Sequence, residues 1–283
     1  MTTLRPSPVD AVRSTKDTKG GKGTDTRRPT RWNRHRELWL GLIGLLAVFV
    51  AWQLTVELGL VDPSFTSSPL GAIGSLVDSV RTGEVWPPVG ATLASVGIGM
   101  AITLVVGIPV GLVIGRTPVL YGLTEQMISI MYAVPFVVFL PIIIFWFGIG
   151  GEARIVIVVW SALFPLLINV VAGGRNLDPD YLRVSQVFCA SRLRTLWSIA
   201  LPATLPYILA GVRQAVGRAL VGAIVAELFM GTDGLGYVVQ LETANFDMDA
   251  AMAAIGIIAV VAIVLTRGVA YLERRLTFWS VAD

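Results

Sequence analysis

Residues 175–206 read RNLDPDYLRVSQVFCASRLRTLWSIALPATLP, a polar island between two hydrophobic stretches. Asp178-Pro179 supplies an N-cap and a first helical position. Val184, Val187 and Phe188 follow at i, i+3, i+4 and predict one apolar face. The run breaks near Cys189-Ala190-Ser191, and Ser191 is placed to cap a second helix. Leu193, Leu196, Trp197, Ala200 and Leu201 form that helix's apolar stripe, with Arg194, Thr195 and Ser198 opposite. Pro202 is expected to disrupt it. About 30 residues is long for a connector. Two short helices with a basic outer surface suit a socket on a soluble partner.

The sequence on either side of the island belongs in lipid. Of the 283 residues, 54% are hydrophobic and 14% charged, against about 25% charged in soluble domains. Six stretches predict membrane-spanning helices, near 38–60, 92–115, 126–149, 155–172, 207–229 and 252–271. The fold class is therefore all-α and polytopic, with six transmembrane helices. Pro135 and Pro141 are expected to kink the third span. Gly107, Gly111, Gly217 and Gly222 are expected at close helix packing positions.

Residues 1–37 hold 10 of the 22 Lys and Arg and almost no large apolar side chains, which predicts a disordered basic tail. The membrane domain runs over 38–276, with the island as its long loop, and 277–283 form a short C-terminal tail. Eighteen of the 22 basic residues fall in the N-terminal tail, the Arg116 turn, the island and the C-terminal end. Arg81 and Arg154 fall in segments of the opposite side. This asymmetry predicts a multi-pass membrane protein with both termini and the island cytoplasmic. On the outer side, residues 69–80 predict an amphipathic helix, with Leu70, Ile73, Leu76, Val77 and Val80 on one face. It lies on the membrane surface or touches an outer partner. The second outer loop, 231–249, carries four acids and no Lys or Arg. Its GTDGLGY follows no strand and lacks the spacing of a dinucleotide fingerprint.

The residues of an enzyme are missing. There is no Walker A sequence, no HExxH and no GxSxG. The one histidine, His35, lies in the tail, away from the one cysteine, Cys189. No catalytic residue, metal site or resident cofactor is expected, nor a nucleic-acid partner. Energised work would need ATP and Mg on a partner chain. The fifth span is the most polar, with Arg213, Gln214, Arg218 and Glu227. Ionisable residues at membrane depth are expensive and face a cavity or a partner. They either fix a subunit interface or line an anion pathway.

The stretch VFCASRLRTLWSIALPATLPYILAGVRQAVGRALVGAIVAE resembles the EAA loop and following span of binding-protein-dependent ABC importer permeases. The likeness is to the nitrate, sulfonate, taurine and bicarbonate branch, over roughly residues 38–276. PSFTSSPLGAI, VGIPVGLVIGR, VPFVVFLPIIIFWFGIG, FPLLINVVAGGRNLDP and GTDGLGYVV also carry it. The resemblance implies a type I importer fold: two permease subunits, a cytosolic ATPase dimer and an extracytoplasmic solute-binding protein. It places the coupling helix within Arg183 to Pro202, where Ser191, Leu201 and Pro202 match the motif. Arg183 stands where the family has glutamate, Ser185 where it has the second alanine, and Cys189 where it has glycine before Ala190. The first change reverses a charge, which suggests a non-identical second permease or an acidic socket on the ATPase. The second puts a β-carbon at a turn and predicts a reshaped turn.

The function expected is the permease subunit of an ATP-driven importer for a small anionic solute. The sequence leaves open a neutral vitamin precursor as solute, or a non-transporting scaffold. An ion-coupled carrier would show an internal repeat, and none is visible.

Overall fold

The computed structural model describes residues 31–62, 65–178, 180, 183 and 187–276. The elements are α1 (Arg31–Glu57), α2 (Pro69–Thr82), α3 (Trp86–Arg116), α4 (Pro118–Ala133), a 3-10 turn (Phe136–Phe139), α5 (Leu140–Phe147) and α6 (Gly151–Arg175). After the island's first half come α7 (Arg192–Thr195), a π-helical turn (Leu196–Ala200), α8 (Leu201–Ala203), α9 (Leu205–Met230), α10 (Leu235–Ala244) and α11 (Met248–Leu276). Contacts divide the chain into two units, residues 1–51 and 52–283. In the first, α1 begins at Arg31, inside the stretch expected to be tail, and residues 39–51 are exposed along nearly their whole length.

In the second unit, α6 is the central helix, packed on α3 and α9. The α3–α6 seam follows from the sequence of α3. Gly99, Gly107, Gly111 and Gly115 recur at multiples of four, and a β-carbon on any of them would press on Val158, Leu166, Val170 or the Val171 carbonyl. Small residues let the two backbones approach, which is how apolar helices gain packing energy where solvent is lipid. Gly222 of α9 meets Ser161 of α6 in the same way. Gly217 departs from expectation: nothing lies within 4 Å of where its β-carbon would be. The buried core is Val96, Met100, Leu112, Val158, Leu166 and Val170 with Ala215, Ala219 and Ala223 of α9.

Among the described residues, five helices are long and apolar enough to cross a membrane. The third expected span is not a continuous helix. α4 and the 136–147 segment pass the same test only together, and they bend by 91°. The break falls at Val134-Pro135, because Pro135 has no N–H to give the Met131 carbonyl. Pro141 does not kink anything; it sits in the first turn of α5, where a missing N–H costs nothing. Pro109 and Pro165 lie inside α3 and α6 without ending them.

The expected amphipathic helix is α2. Ser68 caps it by accepting from the Gly71 N–H at 2.9 Å, and Gly83 ends it in a left-handed conformation. Asp249 at the start of α11 holds that N-terminus, accepting from Ser67 Oγ at 2.7 Å and Ser68 N–H at 3.3 Å. Packing leaves Leu70, Ile73, Val77 and Val80 outward and half-buries Leu76. Trp52 donates from Nε1 to the Ser67 carbonyl at 2.8 Å, tying the end of α1 to the same corner.

Candidate functional site

The island folds around one strained residue. Asp178 accepts from the Asp180 N–H at 2.9 Å, the turn its Asp-Pro start predicts. Cys189, exposed, has φ +48°. This is the left-handed conformation that glycine takes freely, and here a cysteine bears it. Ser191 caps α7, accepting from the Arg194 N–H at 3.3 Å. Pro202 does not end the helix. The turn before it widens to π, with Leu201 N–H bonded to the Leu196 carbonyl, and helix continues through Ala203. A π turn absorbs the donor that Pro202 lacks. Val187 and Phe188 stand 78% and 79% exposed, and Trp197 50%. Arg183 has a local partner: Asp180 at 2.7 Å, one helical turn back. Arg194 is exposed and Ala190 partly so. Ser185 and Val184 lie outside the described residues.

Of the four polar residues singled out on the fifth span, three share a cavity and one does not. Arg213, Gln214 and Arg218 line an open cavity of about 500 Å³ with Tyr132, Pro165 and Gly217. The space left by Gly217 is part of it. Arg213 pairs with Glu273 of α11 at 3.1 Å. Arg218 forms no ion pair among the described residues; its guanidinium stands 5.7 Å from the Tyr132 ring centroid, within cation–π reach. Its carbonyl lies 3.0 Å from Ser161 Oγ, which fixes its backbone against α6. A second cavity of about 220 Å³ adjoins Arg218 at the α4–α5 break. Nearer the island, Arg175 stacks 3.6 Å over Tyr121, which also bonds Glu125, beside a cavity of about 370 Å³.

Glu227 is elsewhere. It is fully buried at the far end of α9, and lines none of these cavities. Thr92 Oγ1 donates to its carboxylate at 2.9 Å, and the Gly236 N–H donates at 2.9 Å. Thr92 Oγ1 in turn accepts from the Leu235 N–H at 2.9 Å. Arg154 approaches to 3.8 Å and pairs with Asp233. The GTDGLGY stretch is thus the wrapping of a buried carboxylate. Gly231 and Gly234 take positive φ to turn the chain, and a β-carbon on Gly236 would meet the Ile224 carbonyl and Glu227. Sequence reasoning missed Thr92 and Arg154 as partners. A lone buried Glu next to a glycine-rich turn was the available signal.

Long apolar helices with one broken span define a polytopic α-helical membrane protein. Residues 107–278 match the family described as binding-protein-dependent transport system inner membrane component. The chain is 30% identical over 254 residues to the taurine transport system permease protein TauC of Escherichia coli K12, covering 88% of this chain and 92% of that protein. It is 28% identical to the putative aliphatic sulfonates transport permease protein SsuC of Bacillus subtilis 168, covering 87% and 90%. A bicarbonate transport system permease protein, CmpB of Synechococcus elongatus, is also 28% identical over 86% of this chain and 91% of its own. A solved structure of the MetNI methionine ABC transporter shares the fold, with TM-score 0.59 at 18% identity over 75% of this chain and 100% of that one. The chain belongs to the binding-protein-dependent transport family and is a permease subunit of an ABC importer.

Proposed function

We propose that this permease carries a small anionic solute, of the sulfonate, nitrate or bicarbonate kind, into the cell. ATP and Mg act on a partner ATPase dimer that seats on the 183–202 segment. In this reading both termini and the island face the cytoplasm, and the 231–249 end faces outward, where the binding protein delivers solute. A second permease subunit completes the pathway along the Arg213, Gln214 and Arg218 face of α9. The local Asp180–Arg183 pair supplies one compensation for the reversed charge at Arg183; a non-identical second permease supplies another.

One observation carries the anion reading. Arg218 is the 14th of 26 residues in α9, about 20 Å from the helix start, and forms no ion pair among the described residues. A cation at that depth costs several kcal/mol unless something compensates it, and a passing anion does. The relatives named for taurine, sulfonates and bicarbonate support the same class. The test is purification from native membranes followed by reconstitution. The expected result is co-purification of an ABC ATPase, and sulfonate uptake that needs ATP and a loaded binding protein. Arg218→Gln is expected to cut anion uptake while the complex still assembles. Uptake that persists with a hydrolysis-dead ATPase overturns the ABC mechanism. A stable complex without uptake makes the chain a scaffold.

A further inference from the structure

Helix α2 is built inside out. A surface helix of a water-soluble domain turns its large apolar side chains to the core. The less exposed side of α2 carries Gly71, Ala72, Ser75 and Ser79, with Leu76 as the one large apolar residue among them. The outward side carries Leu70, Ile73, Val77 and Val80, between 40% and 66% exposed. Packing fixes this orientation. α2 lies on α11, and a β-carbon on Gly71 would collide with the Asp249 carboxylate. Turning the stripe inward would press a leucine or isoleucine where only glycine fits.

The place of α2 in the fold says what meets the stripe. Its N-terminus is tied to the end of α1 and the start of α11. The Leu70 N–H donates to Gln53 Oε1 at 3.3 Å, and Ser67 Oγ donates to Asp249 at 2.7 Å. Its C-terminus lies three residues before Trp86, which opens α3. The 14 residues of α2 make a rod about 21 Å long. With both ends held where long apolar helices end or begin, the rod lies across that end of them. Exposed aromatic rings stand at the same end. Trp86 is one, and Phe246, two residues before α11, packs edge-on to Phe65 at 5.9 Å. Aromatic side chains at the ends of spans mark the boundary between lipid tails and water.

We propose that α2 is a membrane-surface float, whose Leu70, Ile73, Val77 and Val80 stripe sinks into the bilayer leaflet at that end of the spans. In the proposed orientation this is the outer leaflet. Through Asp249 the float also sets the level at which α11 enters the bilayer. A solute-binding protein is a poorer occupant of the stripe. It comes and goes, and interfaces of that kind are no more apolar than the rest of a protein surface. Lipid is always present. Charge takes little part, because Asp78 and Glu84 against Arg81 leave one net negative charge over 69–85. The aliphatic side chains hold the helix down, so a zwitterionic lipid suffices. None of this depends on which solute the permease carries.

The experiment uses the complete complex in phosphatidylcholine nanodiscs, with the photoreactive residue p-benzoylphenylalanine in place of Ile73 or Val77. It is irradiated with and without the solute-binding protein, and the adducts are weighed by mass spectrometry. At both positions the permease is expected to gain the mass of one phospholipid. The yield should be the same with or without the binding protein, and the same when anionic lipid is added. A permease–permease or permease–binding-protein adduct in place of the lipid adduct overturns the float and names the other occupant. No adduct at either position means that the stripe faces water, and overturns it too. A smaller probe guards against a helix displaced by the photoreactive side chain. A nitroxide on Ile73→Cys, in a Cys189→Gly background, is expected to meet dissolved oxygen several-fold more readily than a water-soluble nickel chelate. Equal or greater access for the chelate overturns the proposal, and leaves the permease and anion readings untouched.

Discussion

Cys189 holds a left-handed backbone that costs a residue with a β-carbon about 1–2 kcal/mol relative to glycine. Cys189→Gly is therefore expected to raise the permease's stability by about 1 kcal/mol, less the chain entropy that glycine loses on folding. Cys189→Val is expected to lower it further, since a branched β-carbon fits that region worst. Thermal unfolding of the purified permease reads both; a Cys189→Gly variant less stable than wild type would contradict the strain argument. Thr92 is the other residue whose chemistry is fixed by its neighbours. Its hydroxyl donates to Glu227 and accepts from Leu235 N–H. Thr92→Val preserves shape and removes both bonds, leaving a buried N–H and carboxylate oxygen short of partners. The expected loss is about 1–3 kcal/mol, and the serine variant should recover most of it. Equal stability of the valine variant would sink the idea that this hydroxyl joins α3 to the 231–236 turn.

Between elements, energy resides in how closely α3 and α6 approach. Gly111 faces Val170 at a separation that leaves no room for a β-carbon. Gly111→Val is expected to cost about 1–3 kcal/mol through overpacking. Gly217→Ala provides the contrast, because its position opens on space. It should be neutral, or stabilising by up to about 1 kcal/mol from helix propensity. Comparing the two melting temperatures in one detergent checks the pair. Similar losses at both sites would mean that glycine acts through the helix alone and not through the seam.

For the whole molecule, Val187 and Phe188 are exposed apolar side chains on the polar island, outside the long apolar helices. On the reading that an ATPase docks there, Phe188→Asp is expected to abolish ATPase co-purification, more than tenfold in yield, with the permease's own unfolding temperature unchanged. Because Phe188 is exposed, a fall in stability matching the loss of the complex would show instead that it packs within the membrane unit. Arg213 and Glu273 join the start of α9 to the end of α11 while remaining partly exposed. A pair of this kind contributes under about 1 kcal/mol, so its role is positional rather than a source of stability.

Much of this protein can be read without coordinates. Runs of about 20 apolar residues set the helices, because a backbone in lipid must satisfy its own hydrogen bonds. Asp178, Ser68 and Ser191 cap as their local sequence requires, and glycine spacing in α3 marks its packing face. These are properties of neighbours along the chain. What needed the tertiary structure joins residues far apart. Arg218 and Glu227 looked alike as charged residues on one span, yet one faces a cavity and the other is sealed by Thr92, 135 positions away. Trp160 reads in the sequence as any aromatic of an apolar helix, yet its buried N–H has no acceptor among the described residues. The two prolines of the third span looked equivalent, and only their positions relative to a helix start made Pro135 a break and Pro141 a beginning. Sequence determined where the long apolar helices run and what caps them, through local sterics and solvation; three-dimensional packing decided where a span breaks, which polar groups are paired and which face a cavity.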